Sequence, residues 1–300
     1  MLSANASACS SQSVTQIGFA LDSSASITVV SGASLQTQIT AAAGGHTLTV
    51  EAWGSGGATC NARVDITVTV PIPPPGPVIP ANAIISAGLQ ALNNWKAAHD
   101  PAAGSSSGGT MALVASPSLS GKTREFNTAF SNSGGELYYV PYDNDPNATN
   151  FLYDGWIYLD SSAASIANLE MDLNQVLTNG QTIIYGFQCD GYSGTWDYTE
   201  NAGTPASPVD HWLHSAAPCN VRKWTQNMWH HVQVTYQRDN LGNVTYHSAW
   251  LDGTENPINA TVPSAFALGW GQVLLTNFQI DGLASGSNSV YLDNLTIVRW

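Results

Sequence analysis

Positive charge is scarce in this chain: eight Lys and Arg stand against 21 Asp and Glu, for a net charge of −13. Nucleic acid, anionic membrane surfaces and polyanionic polysaccharides all need clustered cations, so none of them is an expected partner. No apolar run approaches the length that spans a bilayer. The four cysteines form no CxxC pair, which excludes the common zinc and dithiol motifs. "MLSANASACSSQ" has neither the basic n-region nor the apolar h-region of a signal peptide, and the expectation is a processed chain with an added Met1. Helical spacing is confined to "AGLQALNNWKAAHD", so a parallel sheet alternating with long helices is excluded as well.

What remains is apolar, aromatic and strand-like. A 43% hydrophobic content over 300 residues builds real cores and excludes whole-chain disorder. Ten Trp and eleven Tyr beside so few charges suit stacking on flat, uncharged ligands, although most aromatics in any protein serve its core. A neutral polysaccharide is the partner this composition favours. Pairing Cys9 with Cys60 and Cys189 with Cys219 puts one disulfide in each half of the chain. Disulfides persist in oxidising compartments, so a secreted or extracellular monomer is expected.

"VPIPPPGPVIP", residues 70 to 80, carries five prolines between 71 and 77 and reads as a stiff linker over 71–80. Before it, over 1–70, short alternating runs such as "SITVVSG" and "ARVDITVTV" are separated by Gly and Ser turns, the pattern of a small antiparallel sandwich. "AAAGGHTLTVEAWGSGG" followed by "VDITVTVP" resembles the last strands of the immunoglobulin-like domains of secreted bacterial proteins, with an initial strand or two missing. After it, over 81–300, ten or more longer strand runs include "GELYYVPY", "TIIYGFQCDGY" and "TNFQIDGL". "WHHVQVTY", "YHSAWLDG" and the terminal "VYLDNLTI" resemble the concanavalin A-like lectin and glucanase (laminin-G-like) superfamily. The fold class is therefore read as all-β: a two-sheet antiparallel jelly-roll sandwich with a small immunoglobulin-like β-sandwich at its N-terminus. The resemblance implies a ligand on the concave sheet.

"NLEMDLNQ", residues 168 to 175, alternates Glu170, Asp172 and Asn174 with Leu169, Met171 and Leu173. A strand with one parity in the core shows the other to a second surface, which is either a solvated face or a working cleft. "EMDLNQ" resembles the ExDxxE strand of retaining jelly-roll glycoside hydrolases, which implies Glu170 as nucleophile or base and Asp172 as its partner; Gln175 stands where that motif has its acid. A replacement acid has to come from elsewhere, because an amide neither donates nor recovers a catalytic proton. Asp190, Asp197 and Glu200 are nearest in sequence. The Asn-Gly pair of "VLTNGQT" predicts a hairpin that returns "TIIYGFQCDG" against the Glu170 strand, putting Gln188 and Asp190 on one face and favouring Asp190.

Trp156, Trp196, Trp212 and Trp224 lie in or beside turn-rich segments as candidate sugar platforms, with Trp196 foremost and Trp156 also assigned to substrate. His230 and His231 fall on opposite faces of a strand and so do not share a metal; His231 joins the substrate-binding candidates. "DNDPNATNFLYD" spaces Asp143, Asp145 and Asn147 like the start of an EF-hand loop but has Ala148 where the loop needs Gly. No cofactor is required by this reading, and a structural calcium there is the alternative to an Asx-rich turn. Three functions are left open: recognition with hydrolysis of a neutral, β-glucan-like polysaccharide; a non-catalytic glycan-binding or adhesive module; and a polysaccharide lyase with a His or Tyr base.

Overall fold

The computed structural model describes residues 2–22, 27–37, 39, 41, 44–68, 76–100, 107–131 and 133–300, and the chain divides into two compact units, Met1–Ile72 and Pro73–Trp300. Residues 71–75, half of the expected linker, lie outside the described residues.

The N-terminal unit is antiparallel β throughout its described strands. Ala8–Cys9, Gln12–Leu21, Gly44–Gly54 and Thr59–Val68 pair in that order, with Thr28–Ser31 on the Gln12–Leu21 strand. Leu2–Asn5 and Ser34–Thr37 form a separate pair. Ile17, Leu35, Leu48 and Ala52 are buried, and Cys9 is bonded to Cys60.

The C-terminal unit is a sandwich of two antiparallel sheets. The first runs Ser107–Val114, Thr123–Phe130, Gly286–Arg299, Asn150–Leu159, Met228–Arg238, Asn243–Leu251 and Thr254–Pro263. The second runs Asp210–Pro218, Thr195–Asn201, Phe187–Asp190, Ile166–Val176, Leu274–Gly282, Gly134–Asp143 and Lys96–Asp100. Alternation turns one parity of each strand inward: Leu169, Met171 and Leu173 from the second sheet meet Val232, Val234 and Tyr236 from the first in one core. Aromatic rings fill much of it, with Phe126 against Tyr138 and Phe278, and Phe187 stacked on Trp196. Buried tyrosines of the first sheet also grip the backbone of the second: the Tyr236 hydroxyl donates to the Met171 carbonyl at 3.1 Å and that of Tyr246 to the Thr199 carbonyl at 3.2 Å. Because Met171 lies between Glu170 and Asp172, this bond fixes the strand that presents both.

The helical spacing of "AGLQALNNWKAAHD" yields only a 3-10 turn, Leu89–Ala91, followed by the strand Lys96–Asp100. Trp95 explains the break: its ring is buried, its indole N–H donates to the Leu89 carbonyl at 2.9 Å, and the following residues add to the edge of the Gly134–Asp143 strand. Tertiary pairing here overrides local propensity. Among the described residues no helix is long and apolar enough to cross a membrane.

Candidate functional site

The outer face of the second sheet holds a groove of about 990 Å³. Its floor follows from strand register. Gly180, at φ 81°, turns the chain after Val176, and the returning strands pair with Leu173 opposite Tyr185 and Glu170 opposite Gln188. One row of side chains then crosses the sheet as Leu137, Gln279, Glu170, Gln188, Asp197 and His214. The next row runs Tyr139, Asn277 and Asp172, passes Gly186 opposite Asp172, and ends in Thr199 and Trp212. Gly186 leaves the middle of that row open; a Cβ there would meet Thr199 Oγ1 at 2.5 Å. The rings of Tyr139 and Trp212 therefore flank a polar floor, and Trp270, 44% exposed, stands on the loop beside it.

The floor is strongly hydrogen-bonded and crowded with carboxyls. Gln279 Nε2 donates to Glu170 Oε1 at 2.8 Å and to Asp100 and Asp281 at 3.1 Å each. Asp172 accepts from the Phe187 backbone N–H at 2.9 Å and from Asn277 Nδ2 at 3.3 Å, while Asn174 Nδ2 donates to Asn277 at 3.2 Å. Burial, reinforced by the charges of Asp281, Asp172 and Asp100, holds the Glu170 carboxyl well above the usual carboxylate range. Burial likewise pushes Asp172 and Asp281 up to about 7. Glu170 and Asp281 are hydrogen-bonded to each other, so the two titrate as a pair rather than independently.

Neither family models nor curated proteins match this chain. Solved structures resemble it at low identity. The cellulose induced protein Cip1 is 15% identical, with a TM-score of 0.42 over 68% of this chain and 90% of that one. A structure described as showing promiscuous specificity of carbohydrate-binding modules from the β-sandwich superfamily is 8% identical, with a TM-score of 0.36 over 95% of this chain and 86% of that one. The family 11 carbohydrate-binding module from Clostridium thermocellum, in complex with a β-1,3-1,4-mixed-linked tetrasaccharide, is 11% identical, with a TM-score of 0.32 over 72% of this chain and 94% of that one. None of these likenesses assigns a residue or a ligand to this chain.

Glu170, Asp172, Asn174 and Gln188 come together in the groove lining. Of the candidate platforms Trp212 joins them, and the other sequence candidates do not. Asp190 faces the same side but lies opposite Asn168, and its carboxyl meets Asp197 rather than Glu170, so it is not placed as the acid of a Glu170 pair. Gln175 has the parity of the core: fully buried, it donates to the Asp145 and Ala148 carbonyls and accepts from Arg238 and Tyr185. A carboxyl at 175 would thus point away from the groove, whatever its chemistry.

Trp196 is wholly buried beneath the loop that suggested exposure, its ring 5.2 Å from that of Phe187, and is a core residue rather than a platform. Trp224 is also buried, against His230. Trp156 and His231 stack on each other at 4.4 Å on the outer face of the first sheet, where His231 Nε2 pairs with Asp154 at 2.7 Å. The parity expected for His231 is present, but on the sheet away from the groove. Asp143 and Asp145 both bond the Arg299 guanidinium, and Asp145 Oδ1 accepts the Asn147 and Ala148 backbone N–H groups at 3.1 Å each; Asn147 thereby closes an Asx turn. Arg299 supplies at these carboxylates the positive charge that the calcium alternative would have brought.

Asn277, Gln279 and Asp281 are groove residues that the sequence reading did not single out. Their signal is present in "TNFQIDGL", which alternates Asn, Gln and Asp with Phe278 and Ile280 just as the Glu170 strand does. Trp270 carries no comparable signal, since a lone Trp among loop glycines has no period to read.

Proposed function

We propose that this is an exported glycan-binding protein whose ligand, a neutral polysaccharide strand, lies in the groove of the second sheet, and that the N-terminal unit is an immunoglobulin-like spacer. One observation carries the reading: a floor of amides and carboxyls, set in register across neighbouring strands, is flanked by Tyr139, Trp212 and Trp270. Sugar rings present hydroxyls at their edges and C–H groups on their faces, and this arrangement meets the first with hydrogen-bonding groups and the second with aromatic surface. The carboxyls disfavour uronic acids and sulfated chains by like-charge repulsion, which also disfavours lyase chemistry on acidic substrates. The disulfides support an extracellular setting. Calorimetric titration with neutral plant and microbial glycans tests the reading: saturable binding to at least one of them, lost in a Trp212→Ala, Trp270→Ala double variant, is expected. Binding that survives the double variant unchanged removes the groove from the proposal.

Hydrolysis is the second reading, favoured by the raised pKa values of Glu170 and Asp281, which are hydrogen-bonded to each other beside Asp172. A protonated carboxyl next to one that ionises near neutrality is the state a general acid requires. Product analysis after incubation with the bound glycan decides it. Shortened oligosaccharides that disappear with Asp281→Asn support turnover, and an intact glycan leaves recognition alone.

A further inference from the structure

Away from the centre of the groove floor, toward the Asp210–Pro218 edge of the sheet, Asp190, Asp197 and His214 gather ligand atoms within 4.8 Å of one another. Asp190 and Asp197 are almost wholly buried, whereas the His214 side chain is 63% exposed. The surrounding groups hold each carboxylate in place. Asp190 Oδ1 accepts the Tyr192 N–H at 2.6 Å, and Asp197 Oδ1 accepts the Thr195 hydroxyl at 2.6 Å. Ser193 Oγ donates to Asp197 at 3.1 Å, and His214 Nδ1 lies 2.8 Å from Asp197 Oδ2.

A second observation lies beside the same cluster. Gln188 stands directly across from Asp197 and two residues before Asp190 on the same face; it is only 4% exposed, and its Oε1 is buried with no hydrogen-bond partner. A buried amide oxygen left unsatisfied is costly unless something at the site uses it. The disulfide braces the same place: Cys189 immediately precedes Asp190, and Cys219 closes the far end of the segment that includes Asp197 and His214.

We propose that Asp190, Asp197, His214 and Gln188 bind one divalent first-row transition ion such as Zn2+ or Mn2+. Two carboxylate oxygens, an amide oxygen and an imidazole nitrogen form a mixed hard and borderline donor set, which suits such ions better than the all-oxygen shells of Ca2+ and Mg2+. Ser193, Thr195 and the Tyr192 N–H are the outer partners that orient the carboxylates. Exposure of His214 gives the ion a path from solvent. The proposal concerns the ion alone and does not depend on any glycan being bound.

The test uses the full chain, stripped with a chelator and titrated calorimetrically with ZnCl2 and with MnCl2. One equivalent is expected to bind with at least one of these ions, accompanied by a rise in melting temperature that CaCl2 does not reproduce. His214→Ala, at a largely exposed side chain, should melt like the wild type in chelator yet bind about tenfold more weakly or worse. Gln188→Ala should also weaken binding. His211→Ala, at a neighbouring exposed histidine, should bind as the wild type does. Absence of saturable binding by either ion, an equal response to Ca2+, or an unchanged affinity in His214→Ala overturns the proposal.

Discussion

Glu170 and Asp281 share a hydrogen bond in the floor of the groove, and the Gln279 amide donates to both. Two carboxyls in contact inside a buried floor resist ionising together, which makes the stability of this unit depend on pH. Their folded pKa values are raised above those of the unfolded chain, with burial as the leading cause. The folded state therefore binds more protons than the unfolded one over that interval, and stability falls as pH rises.

The expected window opens at about pH 4, near the unfolded carboxyl pKa, and extends through about 7, where Asp172 and Asp281 ionise in the folded protein. Melting temperature should fall across it, and Glu170→Gln should flatten that fall by leaving Asp281 with no carboxyl to share a proton. Differential scanning calorimetry at a series of pH values reads the effect. Parallel curves for wild type and variant contradict the coupling.

Ring position separates binding from folding. Trp270, partly exposed beside the groove, should be dispensable for stability but should contribute about 1 kcal/mol to sugar binding, several-fold in Kd. Trp196, wholly buried against Phe187, should behave oppositely: Trp196→Ala is expected to cost about 3–5 kcal/mol of stability. Paired calorimetry and urea melts of the two variants check this, and a Trp196→Ala protein with wild-type stability contradicts the burial.

The strand pattern and the main side of the groove were legible because period-two alternation shows which parity is apolar. "NLEMDLNQ" states its two faces outright, and the Asn179–Gly180 turn sets the register that brings Gln188 to Glu170. What alternation does not state is which sheet a strand joins. His231 has the parity expected of it and yet lies with Trp156 on the outer face of the other sheet. Nor does a flexible composition mean an exposed ring: Trp196 follows a Gly- and Ser-containing turn but pairs its backbone with Cys189, and that register sends its indole inward. Charge in a loop is equally ambiguous, since Arg299, which neutralises Asp143 and Asp145, is more than 150 residues away in sequence.

The Cys189–Cys219 bridge closes 30 residues of chain that include Asp197, Trp212 and His214. Constraining the unfolded state over such a loop is worth about 2–4 kcal/mol. The Cys189→Ser, Cys219→Ser double variant should lose stability of that order and, if the groove binds glycan, affinity as well, because Trp212 flanks it. Urea denaturation measures the first and titration the second. A stability loss with glycan affinity fully retained shows that the bridge does not position Trp212.

Asp293 makes the sharpest stability prediction. It lies on the Gly286–Arg299 strand, fully buried, and accepts from the Ser118 hydroxyl at 2.7 Å, the Leu119 N–H at 2.6 Å, the Ser120 hydroxyl at 2.5 Å, the Thr123 hydroxyl at 2.7 Å and the Gln90 amide at 3.2 Å. Burial alone would raise its pKa, but the bonds from Ser120, Thr123 and Ser118 hold it far below the usual carboxylate range. Its contribution is therefore present above the unfolded pKa of about 4 and is lost only as pH falls below that value. Removing the carboxylate strands several donors at once, from segments far apart in sequence, so Asp293→Ala should cost about 3–5 kcal/mol at neutral pH. Asp293→Asn keeps the shape but turns an amide N–H toward groups that are themselves donors, and it should recover little of the loss. Urea denaturation of both variants at neutral pH provides the measurement. A cost below about 1 kcal/mol for Asp293→Ala means that water satisfies these donors as well as the carboxylate does, and the segment from Ser118 to Thr123 is then held in place by its strand pairing alone.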